Sequence, residues 1–256
     1  MVVLSVVRQI VGACDNTTPV RRCLDRGEGW RLTGTCVHFS VVPSPSPRRI
    51  GLFGGTFDPP HVGHLVTAVN VRFELELDLV LLMVAHRPWQ KEGSREITQS
   101  DDRLAMVAAA VRGVEGVEAG DLEIRRGGDS YTADTLAALA EEHPGAELFT
   151  IVGDDAAAGL PTWARFEEVI ERSRLVVVDR PGEPVELPDD VAWIRVEVPR
   201  LEVSSTDLRA RLRDGRPATF LITEPVLEVI AERGLYGAGT QRPTTSMAPT
   251  AVSGVR

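Results

Sequence analysis

Two histidines three residues apart, His61 and His64, stand in the glycine-rich segment 51–65, which reads GLFGGTFDPPHVGHL. An apolar run comes before this segment and a helical pattern follows it, so the segment is predicted to join a strand to a helix. At a spacing of three residues on the first turn of a helix, both imidazole rings can point into the same cleft. The spacing therefore predicts that two imidazoles act on one ligand.

Three roles are open for the histidine pair. The two side chains could bind zinc, although no third ligand stands at a supporting spacing, or they could cap the helix. They could also donate hydrogen bonds to phosphate oxygens as charge builds up in a transition state, which suits the site best. Gly54 and Gly55 would let the backbone approach a phosphate at the helix N-terminus, and Gly63 would leave room for a triphosphate.

A second predicted helix start, Ser-Ser-Thr-Asp-Leu-Arg at residues 204–209, follows the last apolar run. Ser204 or Ser205 can cap this helix, with Asp207 in a position like that of a capping box. The segment could be no more than a well-made helix start. Placed after the last strand, it could also face the histidine helix across the sheet and bind phosphate.

Composition limits the classes of function. The chain has 256 residues and a formal net charge of -9, which argues against general nucleic-acid binding. It has no apolar run long enough for a membrane span, so we expect a soluble cytoplasmic protein. The cysteines, Cys14, Cys23 and Cys36, all lie near the N-terminus and fit neither a disulfide framework nor a zinc site. We expect them to be free thiols.

Apolar and helical segments alternate along the middle of the chain. Short apolar runs begin near residues 50, 79, 148, 175 and 193, and helical patterns lie between them, one with a predicted N-cap at Ser100. The alternation predicts an α/β fold, a Rossmann-like doubly wound parallel sheet with a small C-terminal helical part. We expect residues 1–48 to be a disordered extension with a Pro/Ser linker, 49–237 to be the domain, and 238–256 to be a disordered tail.

At this point the motifs resemble a known family. The turn Gly54-Gly55-Thr56-Phe57-Asp58-Pro59 with His61-Val62-Gly63-His64 resembles the nucleotidyltransferases that carry the His-x-Gly-His signature. Within them, residues 49–237 are most similar to bacterial nicotinate-nucleotide adenylyltransferases. The resemblance implies transfer of AMP from ATP to nicotinate mononucleotide, which yields deamido-NAD and pyrophosphate in NAD biosynthesis.

The resemblance also implies roles for individual residues. The catalytic set would be His61, His64, Lys91 and Arg209. The residues that bind ATP and its phosphates would be Gly54, Gly55, Thr56, Phe57, Gly153, Asp155, Ser205 and Thr206. From the residues alone, Lys91 could equally be a solvated surface lysine, and Asp155 could be a helix cap. Arg103 could orient the Lys91 loop or pair on a helix face.

The acceptor nucleotide would bind to two further motifs. Residues 130–136, Ser-Tyr-Thr-Ala-Asp-Thr-Leu, are similar to the family element whose threonine and neighbouring backbone meet the nicotinate carboxylate, here Thr132 and Ala133. Trp163, in Pro-Thr-Trp, resembles the tryptophan that stacks on the pyridine ring, although a core or lid aromatic is the other interpretation.

The implied mechanism needs no protein base and no covalent intermediate, because the attacking phosphate is already an anion. Mg²⁺ would be held mainly by the ATP phosphates, so no protein residue is predicted as a metal ligand. ATP and nicotinate mononucleotide would be the partners, and the sequence is compatible with a homo-oligomer. Two alternatives remain: phosphopantetheine adenylyltransferase, and a non-catalytic regulatory module that binds nucleotide without releasing pyrophosphate.

Overall fold

A single parallel sheet organises the part of the chain that the computed structural model describes, residues 47–88, 97–179, 187–189 and 191–237. Its six strands lie in the order β3-β2-β1-β4-β5-β6, and every pair is parallel. The strands are β1 Arg49–Gly55, β2 Leu79–Val84, β3 Val117–Gly120, β4 Glu147–Gly153, β5 Arg174–Asp179 and β6 Trp193–Glu197. The predicted Rossmann-like fold class is confirmed.

Eight α-helices connect the strands or follow them in the described residues. They are α1 Val62–Glu74, α2 Ser100–Val111, α3 Leu122–Arg126, α4 Thr132–Glu142, α5 Asp154–Ala158, α6 Phe166–Arg172, α7 Ser205–Arg213 and α8 Glu224–Glu232. Two short 3₁₀ turns lie at Leu160–Thr162 and Leu235–Gly237. None of these helices combines the length and the apolar character that a membrane crossing requires.

The hydrophobic pattern explains which strands are central. All six residues of β2, LVLLMV, are buried, as expected for a parallel strand that is covered on both faces. One core cluster contains Val71, Val80 and Phe149, and a second contains Leu52, Leu136 and Leu175. A third cluster packs α7 and α8, which form the predicted C-terminal helical part, against α2.

The strand order creates a crevice at the carboxyl edge of the sheet. β1 and β4 are neighbours, and the strands that follow each of them extend to opposite sides. Ligands of open α/β sheets bind at such a switch point, outside the carboxyl ends of the strands. The glycines that end β1 and β4, Gly54, Gly55 and Gly153, therefore lie where a nucleotide is expected.

Three details differ from the sequence predictions. The N-cap of α2 is Gln99 and not Ser100, which is the first helical residue. The edge strand β3 was not predicted, because its four residues, VEAG, are too short and too mixed to stand out. α8 lies within the predicted C-terminal helical part, but the sequence analysis predicts no first and last residue for it. The predicted limits of the two ends stay predictions, because residues 1–46 and 238–256 lie outside the described residues.

Candidate active site

A cleft of 710 Å³ opens at the carboxyl edge of β1 and β4. Its walls come from the turn after β1, the start of α1, the end of β4 and the segment that leads into α7. Most of the residues predicted to handle ATP line it: Gly54, Gly55, Thr56, Phe57, His61, His64, Gly153, Ser205, Thr206 and Arg209. The structure therefore brings together residues that are far apart in the sequence.

The two histidines form a stacked pair at the start of α1. Their ring centroids are 3.7 Å apart and the ring planes are inclined by 25°. The backbone N–H of His61 donates to Nδ1 of His64 at 3.2 Å. Since Nδ1 of His64 is the acceptor, a neutral His64 ring carries its proton on Nε2 and can donate it to a ligand. Both rings line the cleft, as predicted, and the pair also forms a capping box at the start of α1, which confirms the capping role that the sequence left open.

The Phe57 side chain packs against the His64 ring and limits the positions that this ring can take. The Phe57 ring is 2% exposed and packs edge-on against the His64 ring, with centroids 5.0 Å apart. The Phe57 side chain therefore belongs to the core and supports His64, and the predicted contact of Phe57 with ATP stays a prediction. Gly55 is required here, because a Cβ atom at that position would lie 2.8 Å from the Phe57 ring.

Gly54 and Gly63 serve different purposes. A Cβ atom at Gly54 would meet nothing within 4 Å, so its backbone faces open space. A Cβ atom at Gly63 would lie 3.0 Å from Nδ1 of His61 and 3.1 Å from Cγ1 of Val203. The expectation that Gly63 makes room for a triphosphate is therefore incomplete, because the absent side chain first makes room for the His61 ring.

The N-terminus of α7 packs onto the turn after β1. Ser204 is the N-cap, and its side chain accepts a hydrogen bond from the backbone N–H of Asp207 at 3.1 Å. The hydroxyl of Ser205 donates to the carbonyl oxygen of Pro59 at 2.8 Å. The predicted juxtaposition of two helix N-termini at one cleft is confirmed, and Ser205 is partly committed to holding it.

Arg209 makes the second link between α7 and this turn. It is 8% exposed, and its Nη1 donates to the carbonyl oxygen of Asp58 at 2.6 Å while Nη2 donates to Oγ1 of Thr206 at 3.1 Å. The guanidinium is thus held in one orientation by backbone and side chain together. A fixed, charged fork of donors in a cleft wall is well suited to phosphate.

The Asp58 carboxylate accepts a hydrogen bond from Tyr236, near the C-terminal end of the described residues. The carboxylate is 1% exposed, and the Tyr236 hydroxyl donates to its Oδ1 at 2.6 Å. Burial raises the pKa of Tyr236, and the hydrogen bond to Asp58 raises it further. Sequence reasoning missed Tyr236, because no motif marks a tyrosine so far along the chain. The burial of Asp58, which requires a hydrogen-bond donor, becomes visible only in the structure.

Arg103 was also left out of the predicted site. It is 1% exposed, and its guanidinium donates to the carbonyl oxygens of Thr98 at 2.7 Å, Thr56 at 2.9 Å and His86 at 3.1 Å. The three carbonyls belong to the segment before α2, the turn after β1 and the segment after β2. Arg103 therefore joins His86 and Thr98, which stand on either side of the segment that contains Lys91. That Arg103 orients the Lys91 loop stays a prediction, because the loop lies outside the described residues.

A second pocket, of 280 Å³, adjoins the cleft. The two share Gly54, Gly55, Thr56 and Gly153 at the ends of β1 and β4. Thr132 and Trp163, both predicted to bind the acceptor, line this second pocket. Ala133 does not line it, because its side chain is buried in the core beside the sheet. The predicted contact of Ala133 with the acceptor therefore stays a prediction.

An ion pair joins the two elements that carry Thr132 and Trp163. Nη2 of Arg165 lies 2.6 Å from Oδ1 of Asp134, and its guanidinium lies 5.8 Å from the centroid of the Tyr131 ring. The hydrogen bond with Asp134 raises the pKa of Arg165. Arg165 therefore ties the tryptophan loop to the start of α4.

Two predicted site residues are not placed by the structure. Lys91 and the Asp155 side chain lie outside the described residues, although the backbone at 155 is within α5. Among the residues that are described, no group of three or more His, Cys, Asp or Glu side chains is arranged to hold a metal ion.

Comparisons with known proteins place the chain among nucleotidyltransferases. A sequence model described as Cytidylyltransferase-like matches residues 52–211. The chain is 40% identical over 199 residues to the probable nicotinate-nucleotide adenylyltransferase of Mycolicibacterium vanbaalenii, covering 74% of this chain and 92% of the relative. The probable nicotinate-nucleotide adenylyltransferase of Geobacillus thermodenitrificans is 42% identical over 192 residues, covering 75% of this chain and 88% of the relative.

A solved structure shows the same fold. Plasmodium falciparum nicotinic acid mononucleotide adenylyltransferase complexed with NaAD superposes with a TM-score of 0.62 at 16% sequence identity. The superposition covers 76% of this chain and 100% of that chain.

Proposed function

The chain belongs to the cytidylyltransferase-like family, and from that premise we propose that it is a nicotinate-nucleotide adenylyltransferase of NAD biosynthesis. It transfers AMP from ATP to nicotinate mononucleotide and yields deamido-NAD and pyrophosphate. Relatives about 40% identical over most of the chain carry this name.

One observation in the structure carries the proposal: two cavities that meet at the glycine-rich end of β1. The cleft holds the stacked histidines and Arg209, which suit a polyphosphate. The adjoining pocket holds Thr132 and Trp163, which suit a flat ring with a carboxylate. Because the two cavities share Gly54 and Gly55, a phosphate of each ligand can reach the same point.

The reaction is a displacement at the α-phosphorus of ATP. An oxygen of the acceptor's 5′-phosphate forms the new bond to phosphorus, and the bond to the bridging oxygen breaks as pyrophosphate leaves with the electron pair. Since the nucleophile is already an anion, the protein has to position it and stabilise charge rather than remove a proton.

His64 is assigned to stabilise the α-phosphate. Its Nδ1 accepts from the His61 backbone N–H, which places the proton of a neutral ring on Nε2, and the stacked His61 ring limits how far the side chain can turn. Donors held in place before the reaction act strongly on developing charge, because they need no reorganisation. Arg209 is expected to bind the β- and γ-phosphates together with Lys91, which lies outside the described residues.

Mg²⁺ is expected to be held by the phosphates of the substrate and not by protein side chains. The cleft presents donors for phosphate. Of the carboxylates that line it, Asp58 accepts from Tyr236, and Asp154 belongs to no group of three possible metal ligands in the described residues. Mg²⁺ usually keeps several waters and is held in such sites through substrate phosphates. We therefore expect MgATP to be the form that binds.

The acceptor tests the proposal. Pyrophosphate release from MgATP should be followed in parallel with nicotinate mononucleotide, nicotinamide mononucleotide and phosphopantetheine. The proposal predicts a strong preference for the nicotinate form. Release with phosphopantetheine alone would retain the phosphate site and reject the acceptor assignments of Thr132 and Trp163. No release from a folded chain that still binds ATP would reject the enzyme.

A further inference from the structure

A third cavity, of 580 Å³, lies between the segment before α2, the helix α7 and the turn at Leu235–Gly237. It meets the nucleotide cleft at Thr206 and Arg209, which line both spaces. The acceptor pocket meets the cleft elsewhere, at the ends of β1 and β4. The third cavity and the acceptor pocket therefore open from different walls of the cleft.

The side chains of the third cavity favour an anion. Arg209 stands in the wall between the two spaces, and Arg213 lines the third cavity one helical turn later on the same face of α7. Arg213 is exposed and forms no ion pair with any other residue in the described part of the chain. The carboxylate in the wall, Asp102, is paired with Arg233 at 2.5 Å, which offsets its charge.

Residues at the start of α2 also line this cavity, among them the N-cap residue Gln99, which makes no side-chain cap hydrogen bond. Asp102, in the first turn, is the carboxylate paired with Arg233. The groups suited to an anion are therefore the hydroxyl of Thr206 and the guanidinium groups of Arg209 and Arg213.

In-line displacement requires the leaving oxygen to depart on the side of phosphorus opposite to the attacking oxygen. The acceptor reaches the cleft from the β1 and β4 side, and Arg209 and Thr206 lie on the α7 side. We propose that the third cavity receives the departing pyrophosphate and that Arg213 is a further residue that binds it. The proposal rests on the adenylyl transfer proposed above.

The reverse reaction tests this most sharply, because pyrophosphate is then a substrate. With the full chain, Mg²⁺, deamido-NAD and varied pyrophosphate, ATP formation gives a separate KM for each substrate. Arg213→Ala should raise the KM for pyrophosphate roughly fivefold to tenfold, as expected for one lost charge-assisted contact. The KM for deamido-NAD should not change, and Arg213→Lys should restore part of the loss.

Arg216→Ala is the matched control, since it removes the same charge from the loop after α7 at a residue that pairs with Asp214. It should behave as the unchanged chain does. An unaltered KM for pyrophosphate in Arg213→Ala would overturn the proposal, as would an equal increase in the control. If the unchanged chain makes no ATP from deamido-NAD and pyrophosphate, the proposed function itself fails, and the subsite with it.

Discussion

The loss of the His64 side chain should affect turnover far more than it affects stability. The His64 ring is half-buried at the start of α1 and contributes a donor to the cleft. His64→Ala should lower kcat by about a hundredfold or more, because a donor to the reacting phosphate is lost. The free energy of unfolding should fall by only about 1 kcal/mol, the usual cost of a lost helix cap, because Nδ1 of His64 also accepts from the N-cap backbone of α1. His143→Ala, at the far end of α4, is the control, and a near-normal kcat in His64→Ala would remove this histidine from the mechanism.

Tyr236 makes a prediction about stability and pH. Tyr236→Phe removes a donor from the buried Asp58 carboxylate, and the free energy of unfolding should fall by about 1.5–3 kcal/mol near neutral pH. The folded state raises the pKa of Tyr236, so it holds the phenol proton more tightly than the unfolded chain does. The contribution is therefore fully present below pH about 10 and is lost as the pH rises further.

Urea unfolding of both proteins at a series of pH values checks this. The difference in unfolding free energy between the unchanged chain and Tyr236→Phe should be largest at neutral pH and should shrink above pH about 10. A difference that stays constant to high pH would show that the hydroxyl proton is not what stabilises the fold.

At the scale of elements, the loops at the carboxyl edge depend on one buried side chain. Arg103→Met would leave the carbonyl groups of Thr98, Thr56 and His86 without this donor. We expect the free energy of unfolding to fall by about 3 kcal/mol or more, and kcat to fall with it, because Thr56 lies in the phosphate-binding turn. Denaturant unfolding and steady-state kinetics measure the two effects.

Arg112→Met, at the exposed C-cap of the same helix, is the control for lost charge. If Arg103→Met is as stable as this control, the guanidinium does not hold the loops together. Arg103→Lys should recover little, because one ammonium group cannot reach three carbonyls in different directions.

The sequence predicts an element correctly where the residues of that element themselves form a recognisable pattern. β1, β2, β4, β5 and β6 are apolar runs bounded by turns, and the capped start of α7 is visible in its letters. Sequence analysis failed where contacts with other elements determine the structure. β3 is strand-like only because it pairs with β2, and α2 begins at the serine that looks like its cap, so that the N-cap is Gln99.

The same reason explains the residues of the site that were missed. The histidines, Thr132 and Trp163 stand in local motifs, and motifs can be read from a sequence. Tyr236 contacts Asp58 across 178 residues, and Arg103 reaches Thr56 across 47 residues. Contacts of that kind follow from the strand order, so neither residue could be placed before the sheet was known.

At the scale of the whole molecule, the last described turn, Leu235–Gly237, links the C-terminal helices to the turn after β1. The third core cluster joins α2, α7 and α8, and Tyr236 then connects Leu235–Gly237 back to the turn after β1. We therefore predict that a chain of residues 47–240 keeps the unfolding temperature and kcat of the full chain, since it retains every element of the described fold.

A chain of residues 47–234, which ends just before this turn, is the matched comparison. It should unfold at a lower temperature and turn over more slowly than 47–240. If 47–240 itself loses activity, residues outside the described fold contribute to the enzyme, and the predicted domain limits of 49–237 are wrong.

Direct transfer of AMP between two adjoining cavities is the central claim, and one labelling measurement tests it. The full chain is incubated with Mg²⁺, nicotinate mononucleotide and ATP labelled in the α-phosphate. If AMP is transferred directly, the label appears in deamido-NAD in a one-to-one ratio with pyrophosphate, and none appears without the acceptor. Bound ATP whose label never joins the pyridine nucleotide would contradict it.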